Sequence, residues 1–128
     1  MDSDTAESRR HRRIYFPGEL VVSGTVAASD GQTGVPVKIL NLSEGGLFFT
    51  IAKENGSHFQ EKTRVLFMGM KGPEPFNLSQ KMHMTIRWVF SDAALESIGC
   101  GCEFIDPSAQ SLDLLRNMIA GFSLDTAW

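Results

Sequence analysis

Six stretches of the chain read as strands, most of them through apolar and polar residues alternating with a period of two. The first runs from Ile14 to Val22 or Val26, interrupted early by Pro17 and Gly18, which suits an edge or a bend. Val35, Val37 and Ile39 alternate with Pro36, Lys38 and Leu40, and Leu47, Phe49 and Ile51 alternate again after Gly45-Gly46. Val65 to Met68 is a short apolar run. Met82, Met84, Ile86, Trp88 and Phe90 share one parity against Lys81, His83, Thr85 and Arg87. Ile98, Cys100, Cys102 and Phe104 alternate with Gly99, Gly101 and Glu103. Turn signals separate these runs: Asp30-Gly31, Asn55-Gly56, and a loop holding Gly72, Pro73 and Pro75. Short strands divided by turns predict a mainly β chain, an antiparallel barrel or sandwich.

Near the end the period changes. Leu112, Leu115, Ile119 and Phe122 recur at spacings of three and four, with Met118 beside them, predicting one C-terminal α-helix packed on the strands. Asp106 is the expected N-cap, Pro107 the first helical residue and Gly121 the stop. The chain then divides into a flexible basic arm over 1–13, a barrel with its helix over 14–122, and a tail over 123–128. Phe122, Leu124 and Trp128 make the tail apolar, fit for docking on the barrel or for a dimer.

The 128 residues, 42% of them apolar, suit one ordinary globular core. Net charge is -3, and its distribution is informative. Residues 1–13 hold four Arg against Asp2, Asp4 and Glu7, which makes the remainder acidic. A general nucleic-acid binder would show a broad basic face instead. Met1 to Ser8 is polar and lacks the apolar core of a secretory signal, and no run approaches the roughly 20 apolar residues of a membrane span. Cys100 and Cys102 are two apart on one strand, where their side chains project in parallel, a poor disulfide geometry. Reduced core thiols in a cytoplasmic protein are the simpler expectation.

The placed positive charge is Arg9-Arg10-His11-Arg12-Arg13, and some thirty residues later comes Asn41-Leu42-Ser43-Glu44-Gly45-Gly46. Guanine presents O6 and N7 side by side, and an arginine fork matches that pair; lysine supplies the charge without the planar fit. Guanidinium groups also pair with phosphate oxygens. Asn41 carries amide donors and an acceptor, and Ser43 a hydroxyl suited to phosphate. Gly45 and Gly46 permit close backbone approach and positive φ, and successive N–H groups in such a turn form an anion-binding concavity. Asn41 and Ser43 share the parity of Val35, Val37 and Ile39. If those three are core, a bulge near Leu40 must switch the faces.

Arg9-x-x-x-Arg13 before the first strand, followed by Asn41-x-Ser43-x-x-Gly46, resembles the two motifs of the PilZ domain family. Ile86-Arg87-Trp88-Val89 and Ile98 to Phe104 are similar to the family's last two strands. The resemblance covers residues about 8 to 120. It implies a six-stranded antiparallel β-barrel with a C-terminal α-helix that binds cyclic di-GMP, a second messenger of bacterial motility and biofilm regulation. By that likeness the ligand-binding residues are Arg9, Arg10, Arg13, Asn41, Ser43, Gly45 and Gly46. Asn41 stands where many members carry Asp. The implied function is a receptor or adaptor that changes conformation with ligand and signals to a protein partner, as monomer or dimer. The alternatives are a PilZ-fold interaction module without nucleotide binding, and a small-barrel single-stranded nucleic-acid binder.

Other chemistry has little support. His11, His58 and His83 are scattered without ligand spacing to the cysteines, so no metal site is expected. No nucleophile–base pair, P-loop or nucleophile elbow is legible, so neither an enzyme nor a cofactor is expected. Trp88 and the Met82/Met84 pair read as core by parity, and Arg87 as solvated.

Overall fold

The computed structural model describes residues 13–17, 19–28, 33–56, 58–91 and 94–126, with side chains as far as 121. Among them run β1 (Arg13–Tyr15), β2 (Ser23–Ala27), β3 (Val35–Ser43), β4 (Gly46–Ala52), β5 (Arg64–Lys71), β6 (Met82–Phe90), β7 (Ser97–Phe104) and α1 (Ala109–Thr126). A single 3-10 turn, Lys53–Asn55, follows β4.

The sheet closes. β2, β5, β6, β7 and β4 follow one another by antiparallel pairing, and β3 bonds to both β2 and β4, completing a six-stranded barrel. β1 is an extra short strand beside the far end of β3. It and β2 are the two halves of the first alternating stretch. Phe16 N–H still donates to Leu40 O (2.9 Å), and on the far side of the interruption Ile39 N–H donates to Val22 O (2.9 Å). Pro17 has no N–H to continue the ladder, so the chain leaves β3 there and returns at Val22.

Alternation then fills the interior. Val37, Ile39, Leu47, Phe49, Phe67, Met84, Ile86 and Cys100 are buried from several strands, and Leu115, Met118 and Ile119 of α1 join the same core. The expected bulge is present: Ile39 pairs with Phe49 but Asn41 pairs with Phe48, leaving Leu40 as the extra residue. Ile39 and Leu42 therefore both point inward, and Asn41 and Ser43 turn to the outer face.

Three expectations are corrected, two of them in the helix. The helix begins later than Asp106-Pro107 suggests. Ser108 is its cap, with Oγ accepting the Ser111 N–H at 3.1 Å and its carbonyl accepting the Leu112 N–H at 2.9 Å. Asp106 instead adopts a left-handed turn, φ 45°, which redirects the chain out of β7. Nor does Gly121 end the helix, which continues to Thr126. Glycine only weakens a helix interior by about 1 kcal/mol, and space around this one is open.

Trp88 is not core either. Ile86 pairs with Cys102 and Trp88 with Gly101, so Arg87 is a second bulge residue. Beyond it the parity reverses, and Trp88 and Phe90 emerge on the outside, 47% and 54% exposed.

Candidate functional site

β1 brings the end of the basic segment onto the polar bend. Arg13 pairs with Ser43 and Tyr15 with Asn41 across β1 and β3. Arg13 Nη1 donates to Asn41 Oδ1 at 2.6 Å, a short charge-assisted hydrogen bond. The two segments, 28 residues apart in sequence, thus meet on the outer face. Arg9 and Arg10 lie outside the described residues.

Ser43 organises the bend from within. Its Oγ accepts the Gly45 N–H at 3.1 Å, and the hydroxyl faces Gly46 O at 3.5 Å. The Gly45 carbonyl accepts the Phe104 N–H at 2.8 Å, tying the bend to β7. Asn41 and Ser43 are 8% and 2% exposed, while Glu44 and Gly45 are half-buried. Positive φ is not what the two glycines contribute, since among the described glycines it occurs at Gly69. Gly46 is required sterically: a Cβ there would overlap the carbonyl of Cys102 on β7. Glu44 makes a further link. Its Oε1 accepts from Arg116 Nε of α1 at 2.8 Å, and this hydrogen bond and charge raise the arginine's pKa.

The same outer face carries aromatic rings. Tyr15, Asn41, Phe48, Gly101 and Trp88 form one cross-strand row through β1, β3, β4, β7 and β6. Phe48 and Trp88 stack with centroids 4.9 Å apart and planes at 22°. They lie over bare backbone: a Cβ on Gly99 would come within 2.7 Å of Phe48, and one on Gly101 would strike the indole. Parity alone does not place Trp88 with Phe48 on this outer face. The glycines at the outward positions of β7 were the available signal, since glycines in a strand mark close approach by something flat. Beside them Arg87 Nε donates to Glu103 Oε1 at 2.6 Å, at the surface.

Cys100 and Cys102 belong to the core and not to this site. Burial pushes the Cys100 thiol up to about 11; burial and the neighbouring Cys100 push Cys102 higher still. Both are protonated and poor nucleophiles. Among the described residues no group of three or more His, Cys, Asp and Glu is placed to hold a metal, and no helix is long and apolar enough to cross a membrane.

A small closed six-stranded barrel with one C-terminal helix, and an arginine bonded to the Asn/Ser bend on its wall, defines a class of β-barrel modules. The family model of the PilZ domain matches residues 7–121, and the chain belongs to that family. No curated protein sequence matches the chain. Among solved structures it is similar to the inhibitor of motility MotI/DgrA of Bacillus subtilis, at 20% identity and a TM-score of 0.69, over 94% of this chain and 53% of that one. It is also similar to the PilZ domain of YcgR from Escherichia coli with c-di-GMP, at 14% identity and a TM-score of 0.61, over 91% and 95%. PlzA of Borreliella burgdorferi, in complex with c-di-GMP, matches at 11% identity and a TM-score of 0.59, over 98% and 57%. The chain spans about half the length of MotI/DgrA and of PlzA.

Proposed function

We propose that this chain is a cyclic di-GMP receptor that holds the dinucleotide on the outer wall of the barrel, between the Arg9–Arg13 segment and the Asn41–Gly46 bend. The single observation that carries the reading is the 2.6 Å hydrogen bond from Arg13 to Asn41. It brings a guanidinium with further donors to spare alongside an amide whose own N–H donors remain. The spare arginine donors suit guanine O6 and N7 or a phosphate oxygen, and Arg9 and Arg10 supply a second fork and more charge. Ser43 sets the shape of the bend through Gly45 N–H. The rings of Phe48 and Trp88, in the Asn41 row, offer a face for a base.

Signalling follows from ordering. Ligand contacts offset the entropy of fixing the segment before β1 across the barrel, and the altered surface engages a protein partner. The protein acts as a receptor and adaptor and not as an enzyme. We place it in the cytoplasm, where free thiols such as Cys100 and Cys102 persist.

Titration calorimetry with cyclic di-GMP tests the reading. Micromolar or tighter binding, abolished in Arg13→Ala and unaffected by GTP, is expected; absence of heat from the intact protein rejects it. One observation favours a second reading, an interaction module of the same fold without a nucleotide site: Asn41 and Ser43 are almost fully covered. On that reading the titration is silent, and the exposed Trp88 and Phe90 face is the contact surface.

A further inference from the structure

The bend proposed to take an anion contains an anion. Glu44 sits between Ser43 and Gly45, half-buried, at the point where phosphate would approach. At a few ångströms two like charges repel by more than the about 1 kcal/mol of bulk water, because the barrel wall excludes solvent from one side. An acidic residue there works against the ligand unless its charge is answered.

The structure answers it from 72 residues away. Arg116 reaches from α1 to Glu44, Nε to Oε1 at 2.8 Å. The helix places it there: Leu115, on one side of it in sequence, is fully buried in the barrel core, and α1 rests against β1 and β3, the two strands that carry Arg13 and Asn41. Resting on the cyclic di-GMP reading above, we propose that Arg116 is a positioning residue for the ligand. By neutralising Glu44 and holding its carboxylate toward α1, it makes the bend receptive to phosphate.

The consequence is a coupling between ligand and helix. The bend accepts an anion best when α1 is docked with Arg116 on Glu44. By reciprocity the bound anion favours that docked state by the same factor. The effect is electrostatic and near the surface, so it weakens as salt rises.

Three variants, Arg116→Ala, Glu44→Gln and the double substitution, are titrated with cyclic di-GMP at low and at physiological salt. Arg116→Ala is expected to weaken binding by about two- to fivefold at low salt, in the range of a surface ion pair, and by less at higher salt. Glu44→Gln leaves binding equal to or tighter than the starting protein. The double variant returns to at least the starting affinity, because with no carboxylate in the bend there is nothing for Arg116 to answer. A double variant as weak as Arg116→Ala overturns the proposal and makes the arginine a mere anchor for the helix. An unchanged affinity in Arg116→Ala also overturns it. Rescue in a protein that still lacks the ion pair excludes misfolding as the cause of the loss. Failure of the unsubstituted protein to bind rejects the receptor reading itself, and this inference with it, whereas binding without rescue rejects only the role of Arg116.

Discussion

Trp88 rests on Phe48, centroids 4.9 Å apart and planes at 22°, with both rings laid across glycines of β7. Two bulges create this pair's setting. The one at Leu40 turns Asn41 outward, and the one at Arg87 turns Trp88 outward, so that both reach the same row of the barrel wall. If that wall holds a purine, Trp88→Ala should weaken cyclic di-GMP binding by roughly the worth of one base–aromatic stack, about 1–3 kcal/mol. In a Trp128→Phe background, ligand should also change the fluorescence of Trp88. Unchanged affinity and emission would remove the indole from the site.

Arg13→Ala separates binding from folding. Arg13 is exposed, but its charge-assisted bond ends on the nearly covered Asn41, so the variant should lose about 1–2 kcal/mol in urea denaturation. Its affinity for cyclic di-GMP should fall at least tenfold. A stability loss as large as that of a core substitution would show that Arg13 serves chiefly to close β1 onto β3.

Gly46 makes the opposite prediction. A methyl group there meets the Cys102 carbonyl, and backbone cannot rotate aside as a side chain can. Gly46→Ala should therefore cost about 1–3 kcal/mol or more in denaturation, by forcing β4 and β7 apart. A neutral result would mean that the strands at the Gly46–Glu103 pair can separate at little cost.

Ser108 is the helix cap, and Ser108→Ala removes the acceptor for Ser111 N–H. The expected loss is about 1 kcal/mol. At this chain length it appears as a fall in Tm of roughly 3–5 °C. Asp106→Ala should not reproduce that loss through capping, because Asp106 is in the preceding turn.

The thiols predict an alkaline limit. Cys100 is raised to about 11 in the fold, and Cys102 is raised further, whereas an unfolded thiol ionises near 9. Below pH 9 both states hold the proton and stability is unaffected. Above it the unfolded chain loses protons that the folded chain keeps, so stability falls as pH rises from about 9, by up to ~1.4 kcal/mol per pH unit for each thiol. Cys100→Ala with Cys102→Ala should flatten that fall, measured by denaturation between pH 8 and 10.5. An aromatic disulfide reagent should label neither thiol before unfolding.

Much of this fold is legible in the chain itself. Period-two runs such as Val35–Ile39 and Ile98–Phe104 name their own inward faces, because only one face of a barrel strand avoids water. Pro17 announced the break between β1 and β2, since it cannot donate to a ladder. A core parity for Val35, Val37 and Ile39 together with an outward Asn41 requires a bulge near Leu40, a condition the sequence left open and the structure meets. Trp88 was not legible in the same way. No residue type signals the bulge at Arg87, and without it parity sends the indole inward. The true start of α1 was hidden because Asp106 and Ser108 are both good caps, and the choice falls to the turn that carries the chain out of β7.

Local chemistry along the chain therefore determined the strands, most of their inward faces and the presence of an arginine-rich segment and a glycine-bearing bend. Tertiary structure alone decided which of those groups meet. Arg13 reaches Asn41, Phe48 lies on Trp88, and Glu44 pairs with Arg116 across 28, 40 and 72 positions. Such distances close only when barrel and helix are assembled, because the register of strands and the docking of a helix are set by the whole core at once.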